Sequence, residues 1–243
     1  MSESFFKFAS GAEADGQASP SSRRSFLRGT SAAALVGGAG ALLGMPSITR
    51  AGHDTQGTVK GHYTNFRAVR RHENAHVAFL LDVLAGDARP KPTFQGLEQP
   101  DYISFVTISQ ALEQTGVGAY LGATPFINSP DILAGAASIA LIEASHVAFA
   151  NLVVDDPITG PAEGSLKAEV RALGPDMYFP LTPEEVGAAA GPFIANLNGG
   201  DPIGYSETPS DANDIDILNF ALALEFLEAD FYNINVQKFF EHA

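Results

Sequence analysis

The sequence predicts an all-α protein, a four-helix bundle with a long irregular arm between its third and fourth helices. Three observations predict it. Four segments carry their apolar residues at alternating spacings of three and four, the inward stripe of a bundle helix. No run reads as a strand. The stretch 153–212 is broken by Pro157, Pro161, Pro175, Pro180, Pro183, Pro192, Pro202 and Pro209, and so supports few periodic elements.

The first helix is expected over 62–86. Phe66, Val69, Glu73, His76, Leu80 and Val83 form its stripe, and Gly86, Pro90 and Pro92 stop it. The second, over 101–122, opens at Pro100-Asp101 and carries Tyr102, Val106, Ser109, Glu113, Gly116 and Tyr120 on one face. The third, over 130–152, has a full start signal in Ser129-Pro130-Asp131: an N-cap, a proline in the first turn and an acid beside the positive helix end. Its stripe is Ile132, Ala136, Ile139, Glu143, His146 and Ala150. The fourth, over 213–241, turns Leu218, Ala221 or Leu222, Glu225, Glu228 or Ala229, Tyr232 and Val236 one way. Within the arm, Thr182-Pro183-Glu184-Glu185 opens one short helix through Ala190.

The chain has 28 Asp and Glu against 14 Lys and Arg, a formal charge of −14. That balance speaks against nucleic acid, whose phosphates need clustered Lys and Arg. It has no Cys, which removes disulfides, thiol catalysis, thiolate zinc sites and Cys-ligated iron–sulfur clusters. A bound metal would be held by carboxylate oxygen and imidazole nitrogen, a donor set suited to Fe, Mn or Zn.

The first 51 residues read as an address. Ser22-Arg23-Arg24-Ser25-Phe26-Leu27-Arg28 looks like a twin-arginine export motif, followed by an Ala/Gly-rich weakly apolar stretch over 31–45 and a Thr49-Arg50-Ala51 cleavage site. The apolar stretch is too short and too rich in Gly for a membrane span. The expectation is a signal peptide over 1–51 that engages the twin-arginine export machinery. The mature domain would then be 52–243, periplasmic or exported and without a membrane span.

Two short stretches repeat one chemical pattern. Glu73-Asn74-Ala75-His76-Val77-Ala78-Phe79 and Glu143-Ala144-Ser145-His146-Val147-Ala148-Phe149 both read Glu-x-x-His-Val-Ala-Phe. Residues three apart on a helix share a face, with roughly 5–6 Å between Cβ atoms. These carboxylates and imidazoles lie on the apolar stripes, where an unpaired charge is costly, so they must be paired, protonated or metal-bound. Glu113 and Glu225 lie on the stripes of the other two helices. Four Glu and two His thus point at one axis, the arrangement of a di-metal carboxylate site in a bundle. Glu228, one turn from Glu225, is the alternative ligand. Glu225 is preferred because its seven-residue spacing to Tyr232 repeats that of Glu113 to Tyr120. Both tyrosines are candidates to hydrogen-bond a ligand carboxylate or act as redox-active neighbours. His72 is expected at the surface, and His53, His62 and His242 have no assigned role.

With these motifs, and with 216–232 and 112–123 beside them, the chain resembles the ferritin-like superfamily, in particular its exported bacterial and desiccation-related branch. The family's usual order is a helix with a lone Glu and Tyr, then Glu-x-x-His, lone Glu, Glu-x-x-His. Here the helix resembling the first comes last, so the chain reads as a circular permutation. Swapping of that last helix into a second chain would give a homodimer. The resemblance implies two Fe or Mn ions with His76 and His146 as terminal ligands, bridged by Glu113 or Glu143 and by Glu73 or Glu225. It implies reaction with peroxide or dioxygen, or oxidation of Fe(II), in a stress-protective role. Two alternatives stand beside it: a di-iron oxidase or hydroxylase of a small organic substrate, and a metal-free structural stress-protection protein.

Overall fold

The computed structural model describes residues 55–158 and 178–241. The expected signal segment, His53 and His242 lie outside these residues. The fold is all-α. Five α-helices are described: α1 (Thr55–Leu84), α2 (Tyr102–Ala123), α3 (Pro130–Val153), the short α4 (Pro183–Ala190) and α5 (Asp211–Val236). Polar caps set most of the starts. Asp101 accepts from Ser104 N, Ser129 from Ile132 N and Ser210 from Asn213 N. Thr182 and Glu185 form a reciprocal capping box at α4. α1 begins seven residues before the expected start, and α5 ends in a π-helical stretch, Gln237–Glu241.

One expectation fails. Two short strands, β1 (Thr93–Phe94) and β2 (Ile194–Asn196), pair antiparallel and tie the α1–α2 connection to the arm. They are too short to show an alternating pattern, and their pairing partner lies about a hundred residues away.

Helix directions follow from the cross-links. α1 runs antiparallel to α5: Arg70 bonds Glu241 at 2.8 Å, Asn74 bonds Asn233 at 3.2 Å, and Arg89 N bonds Asn219 at 2.7 Å. α2 runs antiparallel to α3, with Gln110 bonded to Asn151 at 2.6 Å and His146 to Glu113 at 3.1 Å. His62 meets Tyr102 at 2.7 Å, so α1 and α2 start at the same end and run the same way. Residues 85–101 therefore return along the bundle. α3 ends at this same end, whereas Asp211 at the start of α5 meets Asn128 at the other. α5 completes the bundle of its own chain.

The described arm residues pack on α2 through its glycines. Leu181 N donates to Gly118 O at 2.8 Å, and a Cβ on Gly122 would sit 1.9 Å from Leu181 O. Only glycine permits that approach. Inside the bundle, two apolar clusters flank a polar layer. One is rich in rings, including Phe66, Phe105, Phe231 and Tyr232. The other holds Leu80, Leu84, Ala136, Ile139, Leu218, Ala221, Leu222 and Phe226. Among the described residues, α3 alone is long and apolar enough to cross a membrane by length and composition. Its Glu143 and His146 face the bundle interior.

Candidate metal centre

Each main helix delivers its polar residues to the layer between the clusters. α1 supplies Glu73 and His76, α2 Glu113, α3 Glu143 and His146, and α5 Glu225 and Glu228. All seven are buried; Glu73, Glu113 and Glu143 have no exposure. The six residues expected from the sequence are thus brought together. His76 Nδ1 lies 3.2 Å from Glu73 Oε2, 3.2 Å from Glu143 Oε1 and 3.1 Å from Glu225 Oε2. His146 Nδ1 lies 2.9 Å from Glu73 Oε1 and 3.1 Å from Glu113 Oε2.

Two overlapping quartets of donor atoms result, each with all atoms within 4.8 Å of one another. One is Glu73, Glu113, Glu143 and His146; the other is Glu73, His76, Glu143 and Glu225. Glu73 and Glu143 belong to both. This pair comes from the two Glu-x-x-His helices.

The tyrosines cross over. Tyr120 of α2 donates to Glu225 Oε1 of α5 at 2.6 Å, and Tyr232 of α5 donates to Glu113 Oε1 of α2 at 2.5 Å while also meeting Ser109 Oγ. Each bonds the glutamate of the opposite helix because α2 and α5 are antiparallel, which places each tyrosine level with the other helix's carboxylate. Gly116 keeps the wall open here: a Cβ would lie 2.8 Å from Glu143 Oε2 and 3.4 Å from Glu228 Oε1.

So many carboxylates out of water cannot all be charged. Burial, then the charge of Glu73, pushes Glu143 well above the usual carboxylate range; burial, then Glu113, does the same to Glu228. Burial raises Glu225 to about 7. Burial also opposes the charge of Glu73, but hydrogen bonds from His146 and His76 override it and bring Glu73 down to about 2. For both imidazoles burial works against protonation and the surrounding carboxylates win, raising His76 and His146 to about 10. In the metal-free chain, protons stand where positive charge is needed.

The donor set fits a pair of divalent cations. Glu143 Oε2 is buried with no partner and Glu143 Oε1 meets only His76 Nδ1 at 3.2 Å, an arrangement that costs free energy unless something binds the carboxyl. Four ligand carboxylates balance two divalent charges when the imidazoles are neutral and Glu228 keeps its proton.

Two residues depart from expectation. His72 is not on the open surface. Its Nδ1 lies 2.9 Å from His146 Nε2, with the rings stacked at 5.2 Å. The signal was available, since His72 stands four residues before His76 and so shares its side of α1. Glu228, weighed only as a substitute for Glu225, is buried alongside it.

A family model for the ferritin-like domain matches residues 4–156 and 213–243. The chain belongs to the ferritin-like domain family. Within this ferritin-like domain the match passes over 157–212, the arm that carries α4 and β2. No curated protein and no solved structure matches the chain. The buried cage of a ferritin-like domain could hold metal ions in either quartet.

Proposed function

We propose that this ferritin-like domain holds two Fe or Mn ions between its four main helices and consumes peroxide or dioxygen, or oxidises Fe(II), in a protective role. The observation that carries the reading is Glu143, a fully buried carboxyl shared by both quartets, whose Oε2 has no partner and whose Oε1 meets only His76 Nδ1 at 3.2 Å. A metal-free structural protein would satisfy that group with hydrogen bonds.

In this reading Glu73 and Glu143 would be shared by the two ions, with Glu113 and His146 helping to hold one and Glu225 and His76 the other. The chemistry such a pair supplies when bound is two-electron reduction of peroxide or dioxygen. The chain's own contribution is positional. Tyr120 and Tyr232 hold the Oε1 atoms of Glu225 and Glu113 and leave each Oε2 to the centre. His72 occupies Nε2 of His146, which leaves Nδ1 to face the carboxylates. Glu228 keeps a proton inside the layer, and the apolar clusters on both sides exclude bulk water.

The twin-arginine segment supports export of the domain to the periplasm. The helix directions support the permuted order, because two same-direction helix pairs accommodate the lone-Glu helix in last place. A second reading, oxidation of a small organic molecule at the same centre, is favoured by an apolar pocket against Tyr120. Elemental analysis of exported protein, purified without added metal, tests the proposal. The expected result is two Fe or Mn per chain, lost in Glu113→Ala and Glu225→Ala. A folded chain that holds no metal and takes none up would overturn it.

A further inference from the structure

The two apolar clusters beside the carboxylate layer are not alike. The ring-rich side is filled, with Phe66 at 4.7 Å from Phe105 and 4.8 Å from Phe149 between ring centres. The other side encloses a pocket of about 260 Å³ between α1, α3 and α5, with Tyr120 of α2 at its wall. Its lining is almost wholly apolar. Four of its residues stand in a fixed relation to the candidate ligands. Leu80 is one turn after His76, Ile139 one turn before Glu143, Ala221 one turn before Glu225, and Tyr120 bonds Glu225 directly. Four residues of α-helix rise about 6 Å, so the inner end of the pocket lies a single turn from the carboxylate layer. The outer end is marked by Phe79 and Val83, each 44% exposed, and by the exposed Asp131.

We propose that this pocket binds a small uncharged apolar molecule, one ring or a short hydrocarbon chain, and presents it to the metal centre. The inference rests on the di-metal reading for the meaning of that placement, and it names the class of organic partner the centre would take. Size supports it: an engineered apolar cavity of ~150 Å³ takes benzene, so this one has room for a substituted ring. Charge narrows it. Among the described residues the only charged one of the lining is an aspartate, and an adjoining recess that shares Val83, Ile132 and Leu218 is bordered by Asp87, Asp211 and Asp214. Among the described residues no lysine or arginine lines either space, so a carboxylate-bearing molecule such as a fatty-acid anion finds no partner among them.

The test is a titration of toluene, with benzoate as the anionic comparator, into metal-free and Mn(II)-loaded protein. Heat of binding is followed together with methyl resonances of leucine and isoleucine. The expected result is one saturable toluene site, with shifts concentrated at Leu80, Ile132, Ile139 and Leu218, and benzoate at least tenfold weaker. Ala136→Leu, which fills the pocket, weakens toluene at least tenfold. Ile132→Phe, which narrows it from the less buried side, does the same if the first variant fails to fold. Absence of saturable toluene binding to the unsubstituted chain, or undiminished binding to the folded filled variant, overturns the proposal. Benzoate binding as tight as toluene overturns the assignment of an uncharged ligand. Metal analysis of the same samples separates the two readings. Toluene bound without any metal uptake defeats the di-metal proposal alone, and metal bound without toluene defeats this one alone.

Discussion

Glu143→Leu separates a site built for metal from a core built for stability. In the metal-free chain Glu143 Oε2 is buried without a partner, Oε1 has only the contact with His76, and burial favours the protonated carboxyl. Leaving a buried polar group unsatisfied costs about 1–3 kcal/mol, a penalty leucine removes while filling similar space. His76 loses its contact with Glu143 but keeps Glu73 at 3.2 Å and Glu225 at 3.1 Å. The metal-free variant should therefore be more stable by about 2 kcal/mol. For a domain of this size, at roughly 2–4 °C per kcal/mol, its unfolding midpoint should rise by about 6 °C. Metal content should fall to zero, because both quartets lose a member. Chelator-treated protein would be unfolded in denaturant and followed by circular dichroism, with elemental analysis in parallel. Destabilisation of the metal-free chain by more than about 1 kcal/mol would refute the reasoning, since it would show that the carboxyl is already satisfied. Undiminished metal content would refute it from the other side.

Two further outcomes follow from the same geometry. Gly116→Ala gains about 1 kcal/mol of helix propensity but places a methyl 2.8 Å from Glu143 Oε2, so metal affinity should fall at least tenfold with little loss of fold, as read by Mn(II) titration. The metal-free protein should be most stable near pH 4.5, because Glu143, Glu225 and Glu228, all raised, lose their contribution as pH rises above it. Glu73, lowered to about 2, stabilises the fold above its ordinary value of 4.5 and loses that contribution as pH falls toward 2. His76 and His146, raised to about 10, stabilise it below 6.5 and lose that contribution as pH rises through 10, while Glu225, raised to about 7, favours the folded state most below 4.5. Because bound metal must displace imidazole protons, Mn(II) affinity should rise with pH by about tenfold per unit for each proton released. Denaturation curves and Mn(II) titrations at several pH values check both directions.

The bundle was legible because its polar residues stand on apolar stripes. Glu73, His76, Glu113, Glu143, His146 and Glu225 could be read from spacing alone, since helical periodicity fixes which side chains share a face. The start of α3 at Ser129-Pro130 and the capping box of α4 were legible for a local reason: a cap bonds to its own next turn. What was not legible depended on distant chain. β1 and β2 carry no pattern of their own, and Thr93 meets Asn196 only because the arm folds back. The crossing of the tyrosines required helix direction, which spacing does not carry. Val83 continues the period of the α1 stripe yet is 44% exposed, because the apolar pocket opens beside it.

The order of the helices also governs when the cage can exist during synthesis. His76 leaves the ribosome early, whereas its partner Glu225 follows 149 residues later on the final helix. Until that helix is released, neither the second quartet nor the tyrosine that braces Glu113 is present, and the nascent chain can offer metal only a partial set of donors. Loading of the proposed centre would thereby wait for the completed chain, in a fold whose decisive contacts are far apart in sequence. The export route proposed for this chain, which carries folded cargo, would suit a protein assembled in this sequence.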